Sequence, residues 1–209
     1  ELSSIGEKPT ALFIVIQDEK KTYHSLVTIL LKQCYETLIA TAQKHGGKLP
    51  VRTNFLLDEF ANMPPLKDIT TMITAARSRQ IRFTMIIQNF AQLDQVYGKE
   101  NAETIKGNCG NTIYLITTEL KALEEISKMC GEVKSKKDDK TASTPLVTIS
   151  DLQRMKQFEV IILRMRKNPF KTKFVPYYQM EFGKKYTKAD YPHREKQEVH
   201  TFDLREYVK

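Results

Sequence analysis

Apolar positions fall along this chain in short, separated runs, and their spacing switches between two kinds. Ala11–Ile16 is one continuous apolar stretch, the pattern of a strand covered on both faces. From Thr22 to about Lys44 the repeat lengthens to helical spacing, with Leu26, Ile29, Leu30, Gln33, Tyr35, Leu38 and Ile39 at that spacing until His45-Gly46-Gly47 stops it. Residues 53–57 predict a second short strand, and Pro64-Pro65 punctuates the loop after it. Asp68 is placed to cap a helix through about Ser78, with Ile69, Met72, Ile73 and Ala76 inward. Phe83–Ile87 predicts the third strand, Ala91–Tyr97 and Ala102–Lys106 two short helical pieces, and Thr112–Ile116 the fourth strand. Glu119–Met129 is helical, with Leu120, Leu123 and Ile126 inward and Gly131 as its stop.

Strands that alternate four times with helices predict an α/β fold, a parallel sheet with helices on its faces. Ligands of such sheets bind at the carboxyl ends of the strands. Asp58, Glu59 and Gln88 all fall at such ends. Beyond the fourth strand the pattern weakens. Residues 134–145, KSKKDDKTASTP, are charged, small and polar, and predict a mobile surface loop within 134–148. A short helix near Ser150–Met155 follows, then strands at Val160–Met165 and Lys173–Tyr178 with Asn168-Pro169 as the turn. The domain is expected to occupy residues 1–183, with a polar tail over 184–209.

Composition changes this picture only a little. The chain has 209 residues, 41% of them hydrophobic, enough for a packed core. No run approaches the roughly 20 apolar residues of a membrane helix. Cys34, Cys109 and Cys130 are widely spaced and odd in number, which suggests neither a disulfide framework nor a zinc site. The formal net charge of +8 favours polyanions such as nucleic acid, though charge alone does not select them.

The candidate chemistry lies in NFLLDEFANMPP, residues 54–65. A short apolar strand ending in Asp-Glu is the Walker B arrangement: the strand fixes an Asp where it can hold Mg²⁺, and the next Glu can polarise an attacking water. Two solvated acids at a turn would look the same. The next strand, FTMIIQNF, puts Gln88 at the matching end, where an amide can sense a γ-phosphate or simply cap the following helix. Between the two lies AARSRQ, with Arg77 and Arg79. An arginine reaching a neighbouring subunit's nucleotide is one reading of these; a solvated helix end is the other.

Taken in order, LLDEFANMP, AARSRQI and IIQNFAQLDQVYGKENAETIKGNCGNTIYL resemble the TraG/TraD-type coupling proteins of type IV secretion and conjugation. KPTALFIVIQDE before them, and TPLVTISDLQRM and VIILRMRKNPFKTK after them, are similar to that family too, so the resemblance covers about residues 8–178. It implies a RecA-like P-loop NTPase fold and a hexameric ATPase at the cytoplasmic face of the cell membrane. Such an ATPase would use ATP and Mg²⁺ to drive DNA or protein into a secretion channel. DNA, the relaxase or relaxosome, the channel proteins and the hexamer's other subunits are the partners it implies. Carried over by position, Asp58 is the magnesium residue, Glu59 the catalytic carboxylate, Gln88 the sensor and nucleotide contact, and Arg77 the trans-acting finger, with Arg79 a weaker candidate.

One family feature is missing from this sequence. The phosphate loop G-x-x-x-x-G-K-[ST] does not occur: of the three Gly-Lys pairs, at Gly47, Gly98 and Gly183, the residues five before are Ala42, Leu93 and Tyr178. The chain therefore reads as the C-terminal part of a motor domain and is expected not to turn over ATP alone. The alternative is a catalytically inactive module that binds DNA or a relaxase through its basic faces. A helicase motor fits less well, because Asp-Glu-Phe-Ala is not the usual helicase box.

Overall fold

The computed structural model describes residues 2–16, 22–137 and 140–183; the tail expected over 184–209 lies outside these residues. The chain divides into two units, residues 1–174 and 175–209. The first holds every strand and α-helix described.

Helix α1 spans Thr22–Lys44, as its spacing predicts. Its buried face is rotated from the expected one. Leu31, Cys34, Tyr35, Leu38 and Ala42 are inside, while Leu26 and Ile29 are exposed. Strand β1 (Thr53–Leu57) points Phe55 and Leu57 inward and Leu56 outward. Helix α2 (Ile69–Ala76) buries Ile69, Met72 and Ala76. Asp68 does not cap it: its φ of 61° turns the side chain away from the helix's N–H groups, and its carboxylate pairs with Lys32 at 3.0 Å. Strand β2 (Ile81–Met85) begins two residues earlier than expected and runs parallel to β1, Phe55 opposite Phe83 with rings stacked at 4.8 Å. Helices α3 (Phe90–Tyr97) and α4 (Lys99–Asn108) follow. These elements share one core, whose centre includes Leu38, Leu49, Phe60, Met72 and Leu93.

A second core lies beyond it. Strand β3 (Asn111–Tyr114), helix α5 (Leu120–Cys130), helix α6 (Ile149–Gln153) and strand β6 (Glu159–Arg164) enclose Tyr114, Leu123, Ile126, Leu152 and Leu163. Strand β3 pairs antiparallel with β6, and β6 antiparallel with β7 (Phe170–Lys173). Among the described residues the parallel register is therefore confined to β1 and β2. Residues expected to form a loop fold as a hairpin, β4 (Glu132–Lys137) against β5 (Lys140–Pro145). Its small and β-branched residues suit a two-stranded ribbon even without an apolar face. The last strand ends at Lys173, earlier than expected, because Phe174 is held by a single backbone bond to Phe158 and the chain then reaches Pro176.

Ala11–Ile16 is not a strand. It pairs with no described strand, and Phe13 is 87% and Val15 93% exposed. An apolar run becomes a strand only when a neighbouring edge satisfies its backbone, and this segment pairs with none, although β1 and β2 each keep an outer edge free among the described residues. The three thiols are free, Cys34 and Cys130 buried and Cys109 half-buried. Among its described residues the second unit contains one 3-10 turn, Tyr177–Gln179, with the rings of Tyr177 and Tyr178 edge to face at 5.7 Å. Among the described residues no helix is long and apolar enough to cross a membrane.

Candidate functional site at the ends of two parallel strands

Parallel pairing aligns the carboxyl ends of β1 and β2, and backbone bonds continue past both. Ile86 N–H donates to Leu57 O at 2.9 Å, and Phe60 N–H donates to Ile86 O at 2.9 Å. Asp58 and Glu59 are thus held beside Ile86–Gln88. The turn that follows is anchored from below. Phe60 is fully buried and stacks on Tyr97 of α3, centroids 5.1 Å apart. The Tyr97 hydroxyl accepts the Leu66 N–H at 3.2 Å, and burial pushes its pKa up to about 12.

Glu59 takes a left-handed backbone, φ 48° and ψ 42°. Such a conformation disfavours a side chain by roughly 1–2 kcal/mol and persists only where neighbours fix it. Two amides meet the Glu59 carboxylate. Asn62 Nδ2 donates to Oε2 at 2.6 Å, and Gln88 Nε2 approaches Oε1 at 3.4 Å. Asp58 Oδ1 accepts the Glu59 N–H at 3.0 Å, and Asp58 is otherwise exposed. The structure therefore brings Asp58, Glu59 and Gln88 together on one open ledge. Mg²⁺ is typically held by one or two carboxylates plus waters and phosphate oxygens. Asp58, exposed and with Oδ2 unpartnered among the described residues, fits that role. Among the described residues no three His, Cys, Asp or Glu side chains gather as a metal site.

Arg77 stands apart from this ledge. It opens the 3-10 turn Arg77–Arg79 that leads into the amino end of β2, so the length of the strand, about 3.3 Å per residue, separates it from Gln88. Arg77 is exposed; Arg79 is half-buried, with Nε buried and without a hydrogen-bond partner. Two residues that the sequence reading missed shape the site. Asn62 is one. The other is Glu119, directly before α5, whose two oxygens accept the Phe90 and Ala91 N–H groups at 2.7 and 2.9 Å. Asn89 completes that cap by accepting the Gln92 N–H at 2.8 Å. No local signal in the sequence points to Glu119, because its bonds reach a helix that begins 29 residues earlier.

The fold is α/β and of the RecA-like NTPase class. It superimposes on the plasmid coupling protein TrwB in complex with a non-hydrolysable GTP analogue with a TM-score of 0.72 at 18% identity, over 83% of this chain and 42% of that one. TrwB in complex with ADP and Mg²⁺ gives 0.68 over the same shares. In sequence, the family described as the TraM recognition site of TraD and TraG matches residues 52–164. The chain belongs to this TraG/TraD family of coupling proteins. It is 28% identical over 109 residues to VirD4 of Rhizobium rhizogenes, covering 51% of this chain and 16% of that protein. It is 29% identical over 109 residues to the conjugal transfer protein TraG of Agrobacterium fabrum, covering 52% of this chain and 17% of TraG. The chain thus spans about a sixth of the length of these curated relatives.

Proposed function

We propose that this chain supplies the Walker B edge of a conjugative coupling ATPase, the part of the motor that activates water and reads the γ-phosphate. What carries the reading is the Glu59 carboxylate, set between Asn62 and Gln88 at adjacent parallel strand ends. Asp58 would hold Mg²⁺, which when bound there offsets phosphate charge. Glu59 accepts the proton of the attacking water; Oε1 is the freer oxygen, since its contact with Gln88 is the longer one. Gln88 joins that carboxylate to the phosphate side. ATP itself needs a phosphate loop that this sequence does not contain, so turnover belongs to the motor completed by one. Arg77, exposed and at the far end of β2, would act on a neighbouring subunit's nucleotide in a hexamer rather than on its own.

The test uses the completed motor. Glu59→Gln is expected to leave ATP binding intact and stop turnover, and Arg77→Ala to lower activity in trans in mixed hexamers. Unchanged turnover in both would remove the assignment. The cargo, DNA or protein, would pass from a relaxosome to a secretion channel at the cytoplasmic face of the membrane.

A second reading, a binding module for DNA or a relaxase, draws on the +8 charge and on the family's description as a TraM recognition site. If it holds, the chain alone binds duplex DNA with an affinity that falls steeply with salt, as phosphate contacts demand. A salt-independent affinity in fluorescence anisotropy would exclude it.

A further inference from the structure

Gln88 sits on a very short bridge. On one side, Ile86 is fixed by bonds at both its N–H and its C=O, to Leu57 and Phe60. On the other, Phe90 and Ala91 are fixed through their N–H groups by Glu119. Only Ile87, Gln88 and Asn89 lie between the two anchors. The first anchor is backbone within the parallel pair. The second is one carboxylate brought from 29 residues away, the α3 helix having no other acceptor at its first two N–H groups among the described residues. The carboxylate is itself held in place. Glu119 N–H donates to Thr117 Oγ1 at 3.2 Å, and its C=O accepts the Leu123 N–H at 3.1 Å, which ties it to the first turn of α5. A second tie, Lys121 to Asp94, joins the same two helices.

We propose that Glu119 is a positioning residue for Gln88, acting from the second core on the nucleotide edge. Its two charge-assisted bonds set where α3 begins, and the three-residue bridge converts that position into the reach of the Gln88 amide toward Glu59. Asn89 can cap α3 without it, but an Asn89 cap moves with the bridge and cannot fix its position. Displacing α5 therefore displaces Gln88. The inference rests on the motor reading above for the role of Gln88, but not for the geometry.

Two experiments separate these. In this chain, Glu119→Gln retains the shape but sets one amide nitrogen against an N–H, and amide exchange at Phe90 and Ala91 should speed by about tenfold or more while Leu38 and Leu123 stay protected. Unchanged exchange at Phe90 and Ala91 overturns the proposal. In the completed motor at a temperature well below unfolding, Glu119→Gln should lower kcat by about 10- to 100-fold, the cost of a roughly ångström misplacement, with KM for ATP little changed. Combined with Gln88→Ala it should add nothing further. A residue that merely supports the helix would lower thermal stability, leave kcat near wild type and add to Gln88→Ala independently; either kinetic result overturns the proposal. If Glu59→Gln also leaves turnover intact, the motor reading has failed; if Glu59→Gln stops turnover and Glu119→Gln does not lower kcat, only the positioning role has failed.

Discussion

Phe60 and Tyr97 do for the site what the acidic pair cannot do for itself. Asp58 and Glu59 repel each other on an open ledge, and Glu59 sits in a strained backbone region; the fully buried Phe60 directly after them fixes the turn to α3. The Tyr97 hydroxyl is part of that anchor and makes it sensitive to alkali. Burial raises its folded pKa to about 12, above the value near 10 of an unfolded tyrosine. The neutral phenol is therefore favoured by folding. Its contribution is complete below pH 10 and is lost as pH climbs toward 12, up to about 3 kcal/mol in all. Tyr97→Phe removes the acceptor of the Leu66 N–H and is expected to cost roughly 1–3 kcal/mol at pH 8. The gap to wild type should then narrow between pH 10 and 11.5 in urea titrations; two curves that stay parallel would show that Tyr97 does not titrate with unfolding. At this scale the sequence was informative where a residue's place follows from its own strand. Glu59 and Gln88 meet because both follow apolar runs that pair in parallel. Glu119 was not legible as a cap on a helix that begins 29 residues earlier, since its value depends on where β3 and α5 land in space.

Helix α5 shows how the two cores are joined. Its apolar face closes the second core through Leu123, Ile126 and Cys130, while its polar positions reach the first. Lys121 pairs with Asp94 on α3, and Lys106 on α4 bonds Glu125 at 2.9 Å while lying 4.6 Å over the Phe90 ring. Partial burial depresses the Lys106 pKa, but the bonds to Glu103 and Glu125 outweigh it and hold the ammonium above its ordinary value. Helix α6, only five residues long, depends on its cap more than a longer helix would. Thr148 Oγ1 accepts the Asp151 N–H at 3.2 Å and Asp151 Oδ2 accepts the Thr148 N–H at 3.0 Å. Thr148→Ala should cost about 1 kcal/mol and be read as a lower midpoint in thermal melts, with the buried Leu152 the first side chain to loosen by NMR. A variant as stable as wild type would mean that packing of Leu152 alone holds α6. The extent of a long periodic segment such as α1 was legible, because helical spacing is a local property, but its buried face was not, since that depends on what packs against it. Ala11–Ile16 and the 132–145 hairpin were not, because pairing depends on which edges are available. The alternation of strand and helix foretold the parallel β1–β2 pair, while the antiparallel joining of β3 to a strand 45 residues later left no trace in the local pattern.

At the scale of the molecule, one feature follows from the strands' alternation and has a cost. The buried side of β1 faces the first core, so the other side carries Leu56, 74% exposed, and Ile86 beyond β2 lies exposed as well. Leu12, Phe13 and Val15 add an unpaired apolar segment with free backbone groups. An exposed apolar segment without a backbone partner is a template for pairing between copies. A net charge of +8 opposes that association at low ionic strength, and added salt weakens the repulsion without weakening apolar contact. The purified chain should therefore associate more as salt rises, the reverse of what salt does to binding of DNA. The double variant Phe13→Lys/Leu56→Lys separates the two effects. Both positions are exposed, so folding stability should change by less than about 0.5 kcal/mol per site. In sedimentation velocity at 0.5 M salt the variant should remain a monomer at concentrations where the wild-type chain forms larger species. Wild-type chain that stays monomeric at every salt concentration, or a variant that associates as strongly, would show that these apolar positions do not drive contact between copies.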